Sequence, residues 1–339
     1  MLHAAGEMLL QNAPRPPSPG RGALDIPPAT AVAGHWSNSL MILLLLIIAV
    51  AGCTQNPPDR TDDGRLPVFA GIQPTAYLVE QVGGARVAVD VLVRQGQDPH
   101  TFEPTPRQVS DLSGARLFFK IGLPFEDVLL AKMRDGAPRL KIVDVAADVP
   151  KRTMDAPCCD HDAGHNHDHA EHGGPPDPHV WLSPPLLKTQ AKNVAAALVA
   201  ADPDHAEEYR ENLAALLERI EAVHRRIERK LAPYRGRSFI VFHPGFGYFA
   251  DAYGLRELAI ESGGRSPTPK QIHALIAMAQ AEGANTLFVQ PQFDPNSVKP
   301  IADAIGGTVA SIDGLQFDVL SNYEEIAEKL EKSFIKEEN

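Results

Sequence analysis

The residues of this chain best suited to chemistry are its histidines, and six of the thirteen fall in one short stretch, "CCDHDAGHNHDHAEHGGPPDPHVW", Cys158 to Trp181. Imidazole nitrogens and thiolates are the donors zinc prefers, so their density here poses a choice between a metal site, a metal lure and a plain polar loop. His179 closes the stretch in "DPHVWLSP", while His100 stands in "QDPHTFEPTP" and His243 in "FHPGFGYF". Each of these three lies in a turn bracketed by prolines, which restrict the backbone and help to fix the direction of a short side chain. Singly, each reads more readily as a hydrogen-bonded loop residue than as a ligand. Together, three histidines at element ends facing one cleft make a zinc-type constellation. A carboxylate would complete the tetrahedron, and Asp313 in "SIDGL", again just after a strand, is the best placed.

The elements that must position these residues alternate between strand and helix. "LPVFAGI", "RVAVDVLV" and "ARLFFKIG" read as strands, with a helix from Thr75 to Val82 and a second over "TPRQVSDLS", where Thr105 can cap and Pro106 suits the first helical position. A second series runs through "SFIVFHPG", "TPKQIHALIAMAQAEG", "ANTLFVQPQ" and "GGTVASIDG". This alternation predicts an α/β fold of two parallel-sheet lobes. His100 and His243 then sit at the carboxyl ends of strands, where open α/β sheets bind ligands. Between the series, Leu213, Leu216, Leu217, Ile220, Val223, Ile227 and Leu231 follow three/four spacing, which predicts one amphipathic helix from Pro203 to Leu231 with Asp202 as its cap. Such a helix would be a rod of roughly 43 Å at about 1.5 Å per residue, long enough to link both lobes rigidly across an interlobe metal cleft. Its apolar stripe is too short and too wide for a coiled-coil seam, so the reading is of a monomer.

The N-terminal segment is of another kind. "MILLLLIIAVAG", Met41 to Gly52, is shorter than the ~20 residues of a membrane-spanning helix but of the right length for a secretory signal, and "VAGC" resembles a lipobox whose Cys53 is lipidated. The Pro-rich residues before it, with few basic groups, point to a start placed too far upstream. The organisation that follows is a leader over 1–52, a tether over 53–65, an N-terminal lobe over 66–184 carrying a His-rich loop at 158–172, a helical connection over 185–235 and a C-terminal lobe over 236–339. A net charge of −11 argues against nucleic acid and suits a cation ligand. Cys158 and Cys159 are too close for an unstrained bridge and have no other partner, so thiolate ligation is their expected use.

Four segments, "DPHTFEPTPRQVSDLSGARLFFKIGLPFE", "DPHVWLSP", "FHPGFGYFADAYGL" and "SIDGL", resemble in order and spacing the motifs of substrate-binding lipoproteins of bacterial zinc and manganese ABC transporters, over roughly Leu66 to Lys332. The resemblance implies two lobes joined by a long helix, with His100, His179 and His243 as nitrogen ligands and Asp313 as the carboxylate, water being the alternative. A histidine at the third position is similar to the zinc-type members, where manganese-type members carry glutamate. Gln290 stands where the family often has an acid, and no ligand role is given to it. Cys158, Cys159, His161, His165, His167, His169 and His172 resemble the His-rich loop of the zinc type and form an auxiliary, weaker site.

The expected function is capture of extracytoplasmic zinc, carried as cargo, and its delivery to an ABC permease and ATPase, with the protein held to the membrane by its lipid. Manganese or another divalent metal is the alternative cargo, and metal buffering or adhesion the alternative role. A zinc hydrolase would need a general base, and neither H-E-x-x-H nor H-x-H-x-D-H occurs, so no enzyme activity is expected.

Overall fold

The computed structural model describes residues 61, 63–133, 136–154, 176–261 and 268–336. The leader with Cys53 and the stretch from Cys158 to His172 lie outside the described residues. The compact body is Pro57–Asn339, and no helix among the described residues is long and apolar enough to cross a membrane.

The first sheet contains β1 (Leu66–Ala70), β2 (Val87–Val91), β3 (Leu117–Lys120) and β4 (Lys141–Asp144), in the order β2-β1-β3-β4 and all parallel. The second contains β5 (Ser238–Val241), β6 (Arg256–Ala259), β7 (Thr286–Val289) and β8 (Thr308–Ser311), in the order β6-β5-β7-β8 and again parallel. The two lobes therefore share one topology. Strands buried on both faces read as continuous apolar runs, and β5 (SFIV) and β7 (TLFV) are buried throughout. The edge strands β4 (KIVD) and β8 (TVAS) are largely exposed. Strand β2 ends sooner than its apolar run suggests, so His100 follows Val91 by nine positions (100 − 91) rather than directly.

The helices of the first lobe are α1 (Gln73–Gly83), α2 (Pro106–Ser113) and α3 (Pro124–Met133). Helix α4 (Pro184–Ala201) and helix α5 (Ala206–Leu231) follow, then α6 (Gly247–Tyr253), α7 (Pro269–Glu282), α8 (Lys299–Ala304) and α9 (Val319–Lys336). Thr105 and Thr268 begin α2 and α7 with the same device. Each hydroxyl accepts from the backbone N–H of the glutamine three residues on, that glutamine's side chain accepts from the threonine's own N–H, and a proline follows the cap.

The long helix differs from its expectation at the start. Pro203–His205 forms a 3-10 turn, and α5 proper has 26 residues, a rod of about 39 Å. Asp202 does not cap it. Its buried carboxylate instead accepts from Tyr209 Oη at 2.8 Å and lies 2.9 Å from His205 Nδ1. The apolar stripe buries Leu216, Ile220, Val223, Ile227 and Leu231, with Leu213 and Leu217 partly covered. α5 packs along α4 and α1 on one side and α9 on the other. Asn212 Nδ2 donates to Val82 O at 3.0 Å, while Arg226 pairs with Glu324 of α9 at 2.6 Å. One buried apolar cluster runs from β1 and α1 through Trp181, Leu182 and α5 to Phe246, Phe249, Tyr323 and Phe334. The lobes are thus joined by shared core as well as by a helix.

This division of labour predicts unequal costs. Ile220→Ala should lower unfolding stability by about 2–5 kcal/mol, whereas Arg226→Ala, which removes one half of an exposed pair, should cost about 0–1 kcal/mol. Denaturant unfolding of the two variants beside the parent checks this, and equal costs would contradict it.

Candidate metal centre

Three side chains meet at the cleft between the lobes. His179 Nε2 lies 3.4 Å from His100 Nε2 and 3.3 Å from His243 Nε2. Among the described residues, these three histidines are the only group of potential ligands whose donor atoms all fall within 4.8 Å of one another. Zinc–nitrogen bonds of about 2.0–2.1 Å at the tetrahedral angle would place neighbouring nitrogens about 3.3–3.4 Å apart. Both spacings match that edge. Asp98, Trp181, Phe246, Gln290, Gln292 and Leu315 help to line the same cleft.

Each imidazole is aimed by a different device. His179 follows Asp177-Pro178 and begins the 3-10 turn Val180–Leu182. Its backbone N–H donates to Asp177 Oδ1 at 2.9 Å, and its ring Nδ1 lies 2.8 Å from the same oxygen. A neutral imidazole has one N–H and one lone pair, so an acceptor at Nδ1 leaves the Nε2 lone pair facing the cleft. Trp181 then locks the turn to the second lobe. Its Nε1 donates to Gly314 O at 2.7 Å, its carbonyl accepts from the Tyr323 hydroxyl, and Gln190 Nε2 donates to Val180 O at 3.0 Å.

His243 sits two residues past β5, and its Nδ1 is 2.9 Å from Glu261 Oε2. The turn after it is held by Glu257, whose Oε1 accepts from Gly245 N at 3.0 Å and Phe246 N at 2.8 Å. Burial pushes the Glu257 carboxyl up to about 8. Gly247 leaves room for the Arg152 guanidinium, since a Cβ there would lie 1.2 Å from Nη1 and the arginine would have to shift. Arg152 in turn lies 3.7 Å from Asp177 Oδ2 and 3.3 Å from Asp251 Oδ2, so it ties the turn before His179 to α6.

His100 depends on a loop. Asp98 Oδ1 accepts from His100 N at 2.9 Å, and Asp98 Oδ2 accepts from Thr101 Oγ1 at 3.0 Å. The residue as a whole is exposed while its Nε2 reaches the buried His179. Burial of the ring, and then the neighbouring His243 and His179, hold its pKa down to about 4. Burial also lowers the pKa of His179, against the pull of Asp177.

Asp313 stands apart from the expected set. It is buried, but its Oδ1 accepts from Leu315 N at 2.9 Å and its carbonyl accepts from Asn322 Nδ2 at 2.8 Å. It shapes the turn that receives Trp181 and is not among the converging donors. Cys158, Cys159, His161, His165, His167, His169 and His172 lie outside the described residues. Asp177, Glu257, Glu261 and Arg152 received no role from the sequence. Asp177 had a local signal in its spacing from His179, whereas Glu261 has none near His243.

A family model described as the periplasmic component A of the zinc-uptake complex, ZnuA, matches residues 68–334. The chain belongs to this family. The crystal structure of ZnuA superposes with a TM-score of 0.71 at 34% identity, covering 79% of this chain and 99% of that one. A deletion mutant of ZnuA with zinc bound gives the same score and identity, covering 79% of this chain and 98% of its own. The manganese ABC transporter substrate-binding lipoprotein PsaA of Streptococcus anginosus is 28% identical over 274 residues, 78% of this chain and 84% of its own length.

The lowered histidine pKa values set a pH dependence. A metal needs neutral imidazole, and protons compete for it only below the pKa. Free imidazole would lose ligation near about 6.5. For His100 that competition shifts down toward about 4, and for His179 it also moves below the ordinary value. Zinc binding near neutral pH should therefore release few protons from these two rings, and for His100 the loss of affinity should set in only as pH approaches about 4 and continue below it. Calorimetry at about pH 5.5 in buffers of different ionisation enthalpy reads the proton count, and release of about two or more protons per zinc there, as three imidazoles of ordinary pKa about 6.5 would give, would contradict this.

Proposed function

We propose that this protein captures extracytoplasmic zinc in the interlobe cleft through His100, His179 and His243 and delivers it to a membrane ABC permease driven by its ATPase. The observation that carries the reading is the pair of Nε2 spacings, 3.3 and 3.4 Å, which equal the edge of a zinc-centred tetrahedron of about 3.3–3.4 Å. Membership in the zinc-uptake family supports the delivery step. With Asp313 turned to Leu315, the fourth vertex falls to water. Imidazole donors suit zinc, whereas manganese favours carboxylate oxygen, so zinc is the cargo and manganese the weaker alternative. The zinc ion is substrate, not a resident catalyst, and the protein is a receptor, not an enzyme.

The anchor belongs to the same proposal. "VAGC" supports lipidation at Cys53, with the leader ending at Gly52 and a tether preceding a monomeric two-lobed body. The relative PsaA is named a lipoprotein. The segment from Cys158 to His172 serves as an auxiliary, weaker zinc ligand.

Three substitutions and one deletion test the assignment. His100→Ala, His179→Ala and His243→Ala should each weaken zinc binding strongly while the apo protein keeps its far-ultraviolet circular dichroism, because each removes one of three nitrogens. Deleting 158–172 should lower the zinc stoichiometry and leave one tight site. Calorimetric titration of the four proteins decides, and loss of the tight site on deletion would move the primary ligands into the loop. Zinc at about a thousand times its dissociation constant should stabilise the protein by about 4 kcal/mol.

Export is tested separately. Cys53→Ser should leave the protein unprocessed or free of the membrane, while translation from Met41 with a basic leader should still give a functional receptor. Membrane retention of a processed Cys53→Ser protein, read by fractionation and mass spectrometry, would contradict the lipid anchor.

A further inference from the structure

His243 emerges from β5, the strand flanked by β6 and β7. Both neighbours turn a polar side chain onto it just past their own ends. Glu261 lies two residues beyond β6, and Gln290 directly follows β7. Pairing continues up to the site, because Glu261 N donates to Phe242 O at 2.9 Å and Phe242 N donates to Phe288 O at 2.8 Å. Glu261 and Gln290 are 6% and 5% exposed, so their placement is set by the sheet rather than by solvent.

Their roles differ. Gln290 grips the backbone of His243 on both sides: Nε2 donates to His243 O at 2.7 Å and Oε1 accepts from His243 N at 3.2 Å. An amide makes both bonds, whereas an ionised carboxylate here would face the His243 carbonyl with oxygen against oxygen. Glu261 acts on the ring, with Oε2 2.9 Å from Nδ1. A carboxylate has no proton to donate, so Nδ1 must carry the hydrogen and Nε2 the lone pair. Asp177 does the same for His179. Two carboxylates, each one imidazole away from the cleft, thus supply two negative charges opposite a divalent cation held by neutral rings.

We propose that Glu261 is a positioning and specificity-determining residue of the metal site. It fixes His243 as an Nε2 ligand and strengthens that nitrogen as a donor, which favours zinc over manganese. The preference follows because a stronger imidazole donor benefits the metal that bonds nitrogen more strongly, and manganese favours oxygen donors. The inference rests on the proposed zinc reading of the three histidines.

The test compares the full chain with Glu261→Gln and Glu261→Asp, each made metal-free and titrated with zinc and with manganese against a competing chelator at substoichiometric metal. Nitrogen chemical shifts of the His243 ring are recorded on the apo proteins. The parent should show Nδ1 protonated. Glu261→Gln should lose about 10–100-fold in zinc affinity and markedly less in manganese affinity, with a mixed or reversed tautomer, while Glu261→Asp should retain most of the zinc preference. Nε2 protonated in the apo parent would overturn the proposal without any variant. So would an unchanged zinc-to-manganese ratio in Glu261→Gln, or an equal loss for both metals with the tautomer intact, which is the mark of a merely structural role. A parent that binds no zinc tightly would instead defeat the zinc reading itself, and this inference with it.

Discussion

Two imidazole nitrogens held 3.3 and 3.4 Å from that of His179, with all three inside 4.8 Å of one another, are the constraint on which the rest depends. Nitrogens that face one another with lone pairs repel unless a proton or a cation lies between them. The fold must therefore hold them in that arrangement through contacts made elsewhere. A site assembled in this way loses little conformational freedom on binding, because its ligands are ordered beforehand. The same argument explains why the ligands come from separate elements. No helix or strand can bring three rings to one point, but a strand end, a Pro-bracketed turn and a loop from the facing lobe can.

Such an arrangement demands that the lobes not drift. The continuous apolar cluster through Trp181, Phe246 and Tyr323 satisfies this demand more directly than the ion pairs along α5. Trp181 is the point where the two needs meet. Its ring stands 5.2 Å from that of His179, and its indole N–H and carbonyl are both bonded to the second lobe. Arg152 extends the arrangement outward by linking Asp177 to Asp251 of α6, and the absence of a side chain on Gly247 makes room for its guanidinium.

What was legible in the sequence follows the range of the interactions involved. The threonine–proline helix starts, the apolar strands and the apolar face of α5 are local patterns, and the proline-bracketed histidines are local too. The edge strands β4 and β6 left no trace because they are short and carry charge, in "KIVD" and "RELA". Asp313 was found where expected in the chain, but a carboxylate's direction depends on its nearest donors, here Leu315 N. Asp202 looked like a cap, yet the buried hydroxyl of Tyr209 takes its carboxylate. Glu261 and Gln290 are 18 and 47 positions from His243 and meet it only because β6, β5 and β7 are neighbours, which no spacing rule encodes.

The three histidines are not held equally, and this bears on how a tight receptor can also let its cargo go. His179 is buried within the shared core, and His243 is clasped by two strand ends. His100 is the exposed member, nine positions past its strand and fixed locally by Asp98. Moving His179 or His243 would break buried hydrogen bonds and open core packing, each of which costs about 1–3 kcal/mol or more. Moving the His100 loop disturbs the turn at Asp98 and the packing of its neighbour Phe102 on Phe125, but none of the carboxylate and strand-end bonds that hold the other two rings. With the proposed ligand set, a force applied between the lobes would separate His100 from the other two before it disrupted either of them, leaving two nitrogens to hold zinc less tightly without unfolding the body that carries them.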